Sequence, residues 1–239
     1  MAIIFSVVGQ KGGTGKSMIS RLLAVELVKR KKSVALVDLD IAQRTSAEWG
    51  EARKINQLDL LEPAIEVLVI DADEEPDCRV SELANAFSVI ILDAPGFSDE
   101  LTVQIASQAD LVVLPSGPSL DDLRPTIRLH HELKTAGIAD ESIAIVLNMV
   151  ATDNEEKSAR SYLGQANLSA VQAVLRDRPS YRKAAGHGQS ASEVPHASPR
   201  DEASALARVL LERGEASVDR HDQPAEQPKR FVFQEGESW

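Results

Sequence analysis

The chain has 239 residues, 43% hydrophobic and 26% charged, and its 37 acidic against 26 basic side chains leave a net charge of −11. That length accommodates one large core and is short for two full domains, and the composition is that of an ordered globular protein. No apolar run approaches the roughly 18 residues of a membrane span, and the single cysteine, Cys78, excludes an internal disulfide framework or a multi-cysteine metal site built by one chain, so a reducing, cytoplasmic setting is expected.

The first apolar run, residues 2–8, has no basic stretch before it and no small-residue cleavage site after it, so it is expected to be a strand and not a signal peptide. A helix is expected over 16–31, where Ile19, Leu22, Leu23, Leu27 and Val28 recur at helical spacing and Arg21, Lys29, Arg30, Lys31 and Lys32 are left largely for solvent. A strand at 33–37, a helix at 46–54, a strand at 65–70 and a helix at 76–87 follow. Next come a strand at 89–92, a helix at 99–107, a strand at 111–114, a helix at 120–136 and a strand at 143–147. Helices at 155–163, 180–185 and 199–213 and a further strand at 170–175 complete the pattern. The strands are continuous apolar runs without strict alternation, as when helices cover both faces of a sheet. Alternation of strand and helix with short connections predicts an α/β, doubly wound, mostly parallel fold over residues 1–213. From 214 to 239 the chain turns polar, and a flexible tail is expected there; its Phe231-Val232-Phe233 cluster and Trp239 either dock on a partner or have no role.

The segment Gly9-Gln10-Lys11-Gly12-Gly13-Thr14-Gly15-Lys16-Ser17 follows the first strand and opens the first helix, the setting a phosphate-binding loop requires. Glycines let the loop amides converge on phosphate oxygens, and the helix N-terminus favours an anion. Lys16 then reaches the β- and γ-phosphates of a nucleotide, and Ser17 gives its hydroxyl to Mg²⁺. The strand at 89–92 ends in Asp93-Ala94-Pro95-Gly96, where Asp93 is placed to hold Mg²⁺ through water, and the loop 94–99 is a candidate switch. Asp38-Leu39-Asp40 closes the strand at 33–37; the alternative for either aspartate is a cap on the next helix.

The pattern Lys-Gly-Gly-x-Gly-Lys-Ser, with a second lysine at position 11, resembles the ParA/MinD family of deviant Walker A ATPases, and Gly9-Gln10-Lys11 is most similar to its ParA branch. The resemblance covers residues 2–213 and is strongest at the phosphate motifs. It implies an ATP- and Mg²⁺-dependent ATPase in which Lys11 crosses to the nucleotide of a second subunit, so that ATP drives homodimerisation. It also implies that Asp40 positions the attacking water, that Asp38 supports the Mg²⁺ shell, and that Gly12, Gly13, Thr14, Gly15, Lys16, Ser17 and Met18 bind the nucleotide. Asn148, after the strand at 143–147, corresponds to an asparagine on the adenine edge; a turn-forming role is its alternative. Pro115-Ser116-Gly117-Pro118-Ser119-Leu120-Asp121 resembles the family's proline-rich turn at the dimer face. Family members position a plasmid, chromosome region or protein assembly through nonspecific DNA binding and hydrolysis stimulated by an adaptor protein, which implies association with the nucleoid when ATP is bound.

Between residues 157 and 183 six basic side chains face one acidic residue, which makes Arg176, Arg178, Arg182 and Lys183 candidates for DNA binding, with an ordinary solvated face as the alternative. Two departures from the family stand out: Ile41-Ala42-Gln43 replaces the usual proline–glutamine, and Met18 replaces a threonine. A membrane-associated regulator of the MinD kind needs a basic amphipathic C-terminal helix, which the acidic, proline-containing tail does not offer. An ATP-gated dimerisation module with little hydrolysis remains the other alternative.

Overall fold

The computed structural model describes residues 2–58, 62–70, 76–96 and 99–221. Six parallel strands form one sheet in the order β3-β2-β4-β1-β5-β6: β1 (Ile3–Val7), β2 (Val34–Asp38), β3 (Ile65–Val69), β4 (Val89–Asp93), β5 (Leu111–Ser116) and β6 (Ile143–Leu147). The helices between them are α1 (Lys16–Lys29), α2 (Thr45–Ile55), α3 (Pro76–Ala86), α4 (Asp99–Ser107) and α5 (Leu120–Thr135). After β6 come α6 (Asp153–Gln165), α7 (Pro179–Gly186) and α8 (Ala197–His221).

Why the strands lack alternation is visible in β4 and β6, every residue of which is buried. Val89 and Ile91, with Ala144 and Val146, join a core layer that includes α1 and α8, whereas Ile90 and Leu92, with Ile143, Ile145 and Leu147, join the opposite layer. Successive side chains point to opposite faces and both faces are covered, so the positions are apolar until β4 ends in Asp93. Because all strands run the same way, the loops after β1, β2, β4, β5 and β6 gather at one edge. Ligands bind there in doubly wound sheets.

Two expectations are corrected. Residues 170–175 do not form a strand: only Ala170 bridges Ile145 and Arg176 bridges Val150. The Arg160 guanidinium takes the carbonyls of Ala170, Val171 and Gln172 at 2.8–3.2 Å, leaving three amides, of Val171, Leu175 and Asp177, to bond the chain of β6 and the turn after it. The polar tail does not begin at 214, because α8 continues to His221. Small residues keep that stretch against the core: a Cβ on Gly214 would lie 2.5 Å from the Phe5 ring, and Ser217 is buried. Residues 222–239, including Phe231-Val232-Phe233 and Trp239, lie outside the described residues, as do 97 and 98 of the candidate switch loop.

Among the described residues no helix is long and apolar enough to cross a membrane.

Candidate nucleotide site

The glycine-rich loop links β1 to α1 and borders a cavity of about 520 Å³ lined by Gly13, Lys16, Ser17, Asp40, Thr45 and Met149, among others. That volume suits a nucleotide-sized ligand. Gly13 and Gly15 have φ of 80° and 92°, and a Cβ on Gly15 would collide with the Asn148 amide, so this turn requires glycine there.

Lys16 is buried, and its Nζ donates to the Lys11 carbonyl at 3.2 Å. Burial holds its pKa below the ordinary lysine value, against the opposing influence of Asp93 and Asp40. A desolvated ammonium at a helix N-terminus is a receptor for an anion, because phosphate oxygens would replace the water it has lost.

Asp93 is likewise buried. Its Oδ2 accepts the Ser46 hydroxyl at 2.6 Å, while Oδ1 has no hydrogen-bond partner. Burial raises its pKa, countered first by the hydrogen bond from Ser46. Ser17 Oγ lies 2.9 Å from Thr45 Oγ1. An orphaned carboxylate oxygen beside hydroxyls fits a Mg²⁺ ion that takes its remaining ligands from phosphate and water. Among the described residues no group of three His, Cys, Asp or Glu side chains could hold a metal ion.

Asp38 and Asn148 occupy other roles than expected. Asp38 is fully buried, with Oδ1 accepting the Asp40 amide at 3.1 Å and Oδ2 accepting the Ser46 and Ala47 amides at 2.8 and 3.0 Å. It caps α2, the alternative left open in the sequence, and its oxygens are spent on backbone donors. Asn148 is also fully buried; its Nδ2 donates to the Thr14 carbonyl at 2.8 Å and its Oδ1 accepts the Met149 amide at 2.9 Å. It fastens the phosphate loop to the end of β6 and presents no accessible amide to a base. Met149, 37% exposed, and Met18 line the cavity instead.

Asp40 lines the cavity, and its Oδ1 accepts the Gln43 amide at 3.0 Å. Gly12 approaches Gly96, where a Cβ would lie 3.2 Å from the Gly12 α-carbon, so the loop after β4 touches the phosphate loop. Thr14 is buried with its hydroxyl 3.4 Å from the Lys11 carbonyl. Lys11 itself stays outside the cavity and pairs with Asp122 of α5. Hydrogen bonding to Asp122 raises its pKa.

Arg21 was not legible as a site residue. It follows Ser17 by four positions and so shares its helix face, the one signal that could have found it. It lines the cavity, its Nε lies 3.4 Å from Ser46 Oγ, and its guanidinium carbon sits 5.9 Å from the Trp49 ring centre. Burial lowers its pKa, opposed by Asp93 and Asp38.

The candidate DNA-binding arginines are not a free cationic face. Arg176 pairs with Asp153 and Glu156 at 2.9 and 2.8 Å, Arg178 with Glu202 at 3.4 Å, and Arg182 with Asp177. The carboxylates of α6 and α8 lie outside the 157–183 window and fold onto it. Lys183 is exposed on α7.

A model of the CobQ/CobB/MinD/ParA nucleotide binding domain matches residues 5–191. An uncharacterised ATP-binding protein of Methanocaldococcus jannaschii is 27% identical over 213 residues, covering 79% of either chain. Protein ParA of Rhizobium radiobacter is 24% identical over 182 residues, 73% of this chain and 78% of its own. The septum site-determining protein MinD of Pyrococcus horikoshii, solved with Mg-ADP, superposes with a TM-score of 0.71 at 19% identity over 91% of this chain and 99% of that one.

Proposed function

Since the chain belongs to the CobQ/CobB/MinD/ParA family of nucleotide-binding proteins, we propose that it is an ATP-dependent, dimerising ATPase that positions or segregates a cargo. The observation that carries this reading is the division of labour between two lysines on one loop. Lys16 is buried in the cavity and serves its own subunit's nucleotide, whereas the side chain of Lys11 is 45% exposed outside it, where a second subunit's phosphates can meet it. A cation shared in that way makes association depend on the nucleotide.

Catalysis would then be positioning and charge stabilisation, with no covalent step for the protein to perform. Lys16 and the loop amides hold the phosphates, Asp40 orients the attacking water, and Ser17 and Asp93 would hold Mg²⁺. The ion, when bound, neutralises charge on the phosphates. Turnover is slow alone and rises with an adaptor protein. Nonspecific DNA is the proposed track, engaged by Lys183 and the exposed edge of Arg182 from both subunits of the dimer. With a net charge of −11 per chain the contact is weak and falls steeply with salt.

Light scattering tests the carrying observation. Wild type doubles its mass with Mg-ATP, whereas Lys11→Ala still binds nucleotide but stays monomeric up to at least about 100-fold higher protein concentration. Loss of nucleotide binding by Lys11→Ala, or an unchanged mass for wild type, contradicts the proposal. Asp40→Ala is expected to lower turnover by about 10²-fold or more and to trap the dimer on DNA. If dimer lifetime is unaltered by that change, the ATP-gated module that hardly hydrolyses is the correct reading.

A further inference from the structure

The leading turn of the phosphate loop is fastened to α5 of the same chain at two points. Gln10 Nε2 donates to Glu132 Oε2 at 2.8 Å, and Lys11 Nζ donates to Asp122 Oδ1. The second contact has a built receptor: Asp122 Oδ2 accepts the Ser119 hydroxyl at 2.6 Å, and the carboxylate lies against Gly117 so closely that a Cβ there would strike it. Asp122 is the smaller and better-fixed partner, its side chain 19% exposed against 45% for Lys11. Burial alone would raise its pKa, yet the bonds from Lys11 and Ser119 hold it below the usual carboxylate value.

We infer that Asp122 is a latch that holds Lys11 within its own subunit and thereby sets how much ATP is needed to form the dimer. The inference rests on the dimer reading above and concerns the regulation of that same site. Lys11 has one ammonium to give. A lysine paired with Asp122 in its own chain is not available to the nucleotide of a neighbour, so each subunit must exchange Asp122 for phosphate before the dimer closes. Two such exchanges accompany each dimer, and their effects multiply. The latch keeps the protein monomeric at low ATP, and it recaptures Lys11 once the neighbour's nucleotide loses its terminal phosphate and with it part of the attraction.

The test is a titration of Mg-ATP followed by light scattering on the full chain. Asp122→Asn keeps the shape of the side chain and removes its charge; it is expected to reach half-dimerisation at about tenfold lower ATP or protein concentration than wild type. Gly117→Ala leaves the charge intact and displaces the carboxylate, so it should shift the titration the same way by a different route. In a Lys11→Ala background Asp122→Asn should change nothing, because the latch acts only through that lysine. A second readout needs no dimer: acetylation of Lys11 in the nucleotide-free monomer, mapped by mass spectrometry, should be several-fold faster in Asp122→Asn. Circular dichroism melting confirms that each variant folds. An unchanged or higher ATP requirement in both Asp122→Asn and Gly117→Ala overturns the latch while leaving the dimer reading intact. A wild type that stays monomeric at saturating ATP overturns the dimer reading and the latch with it.

Discussion

Lys16→Ala is expected to abolish measurable ATP binding while leaving the nucleotide-free fold as stable as wild type or slightly more so. The two halves of this expectation come from one fact: the ammonium is buried before any phosphate arrives, and its one internal bond in the structure runs to the Lys11 carbonyl. Removing it costs that weak bond and relieves the desolvation of a charge, so the melting temperature without nucleotide should hold. Bound phosphate, by contrast, loses a charge-assisted contact in a site shielded from water, worth about 10²- to 10³-fold in affinity. Lys16→Arg should not restore binding. A Cβ on Gly96 would already lie 3.3 Å from Lys16 Nζ and 3.3 Å from the Gly12 amide nitrogen, so a broader guanidinium head has no room. Calorimetry with Mg-ATP and thermal melts of the same samples check both halves. Affinity within tenfold of wild type would show that the loop amides alone hold the phosphates.

What could be read from the residues alone follows a physical line. The phosphate loop was legible because its chemistry is local: glycines, a lysine and a serine consecutive in sequence stay adjacent in space at a strand–helix junction. The α/β order was legible because strands buried on both faces are continuous apolar runs, as β4 is from Val89 to Leu92. Contacts between distant segments were not. Asn148 meets Thr14 across 134 residues, and its burial converts an expected base contact into a brace for the loop. Asp38 became a helix cap because α2 begins directly above the end of β2, a geometry that the Asp-Leu-Asp pattern does not specify. The basic excess between 157 and 183 was a count along the chain, whereas its partners Asp153 and Glu202 come from outside that window. Gly214 looked like the start of a tail, and its missing side chain is what lets Phe5 approach α8.

Helix α2 links the site to the last third of the chain. At its start, the Ser46 and Ala47 amides bind Asp38 and the Ser46 hydroxyl binds Asp93, so the position of α2 fixes both carboxylates. Farther along, three side chains tie it to the segment after α7: Trp49 Nε1 donates to the Gln189 carbonyl, Asn56 Nδ2 to the His187 carbonyl, and Arg53 to Gly188 and Glu193. Asp93 and the segment after α7 are therefore joined through one helix.

Arg53→Ala should consequently be the most destabilising single change near the site, by about 3–5 kcal/mol, because it strips the partner from a partly buried carboxylate. Arg53 is 2% exposed, forms a two-pronged pair with Glu193 at 2.9 and 3.0 Å, and also serves the carbonyls of Gly188 and Leu58. With the guanidinium gone, Glu193 keeps the Ser190 amide at 2.8 Å as a donor, and two carbonyls lose theirs. A domain of this size has a stability of about 5–15 kcal/mol, so the loss is a large share of the whole. Because α2 also sets Asp38 and Asp93, Mg-ATP affinity should fall together with stability in urea-unfolding and calorimetric titrations. The pairing account makes a sharper demand on the double variant Arg53→Met, Glu193→Met. Removing both charges and filling the space should recover most of the lost stability, since neither ion is then stranded. A double variant as unstable as Arg53→Ala would show instead that the bonds to Gly188 and Leu58, and not the ion pair, hold α2 in place.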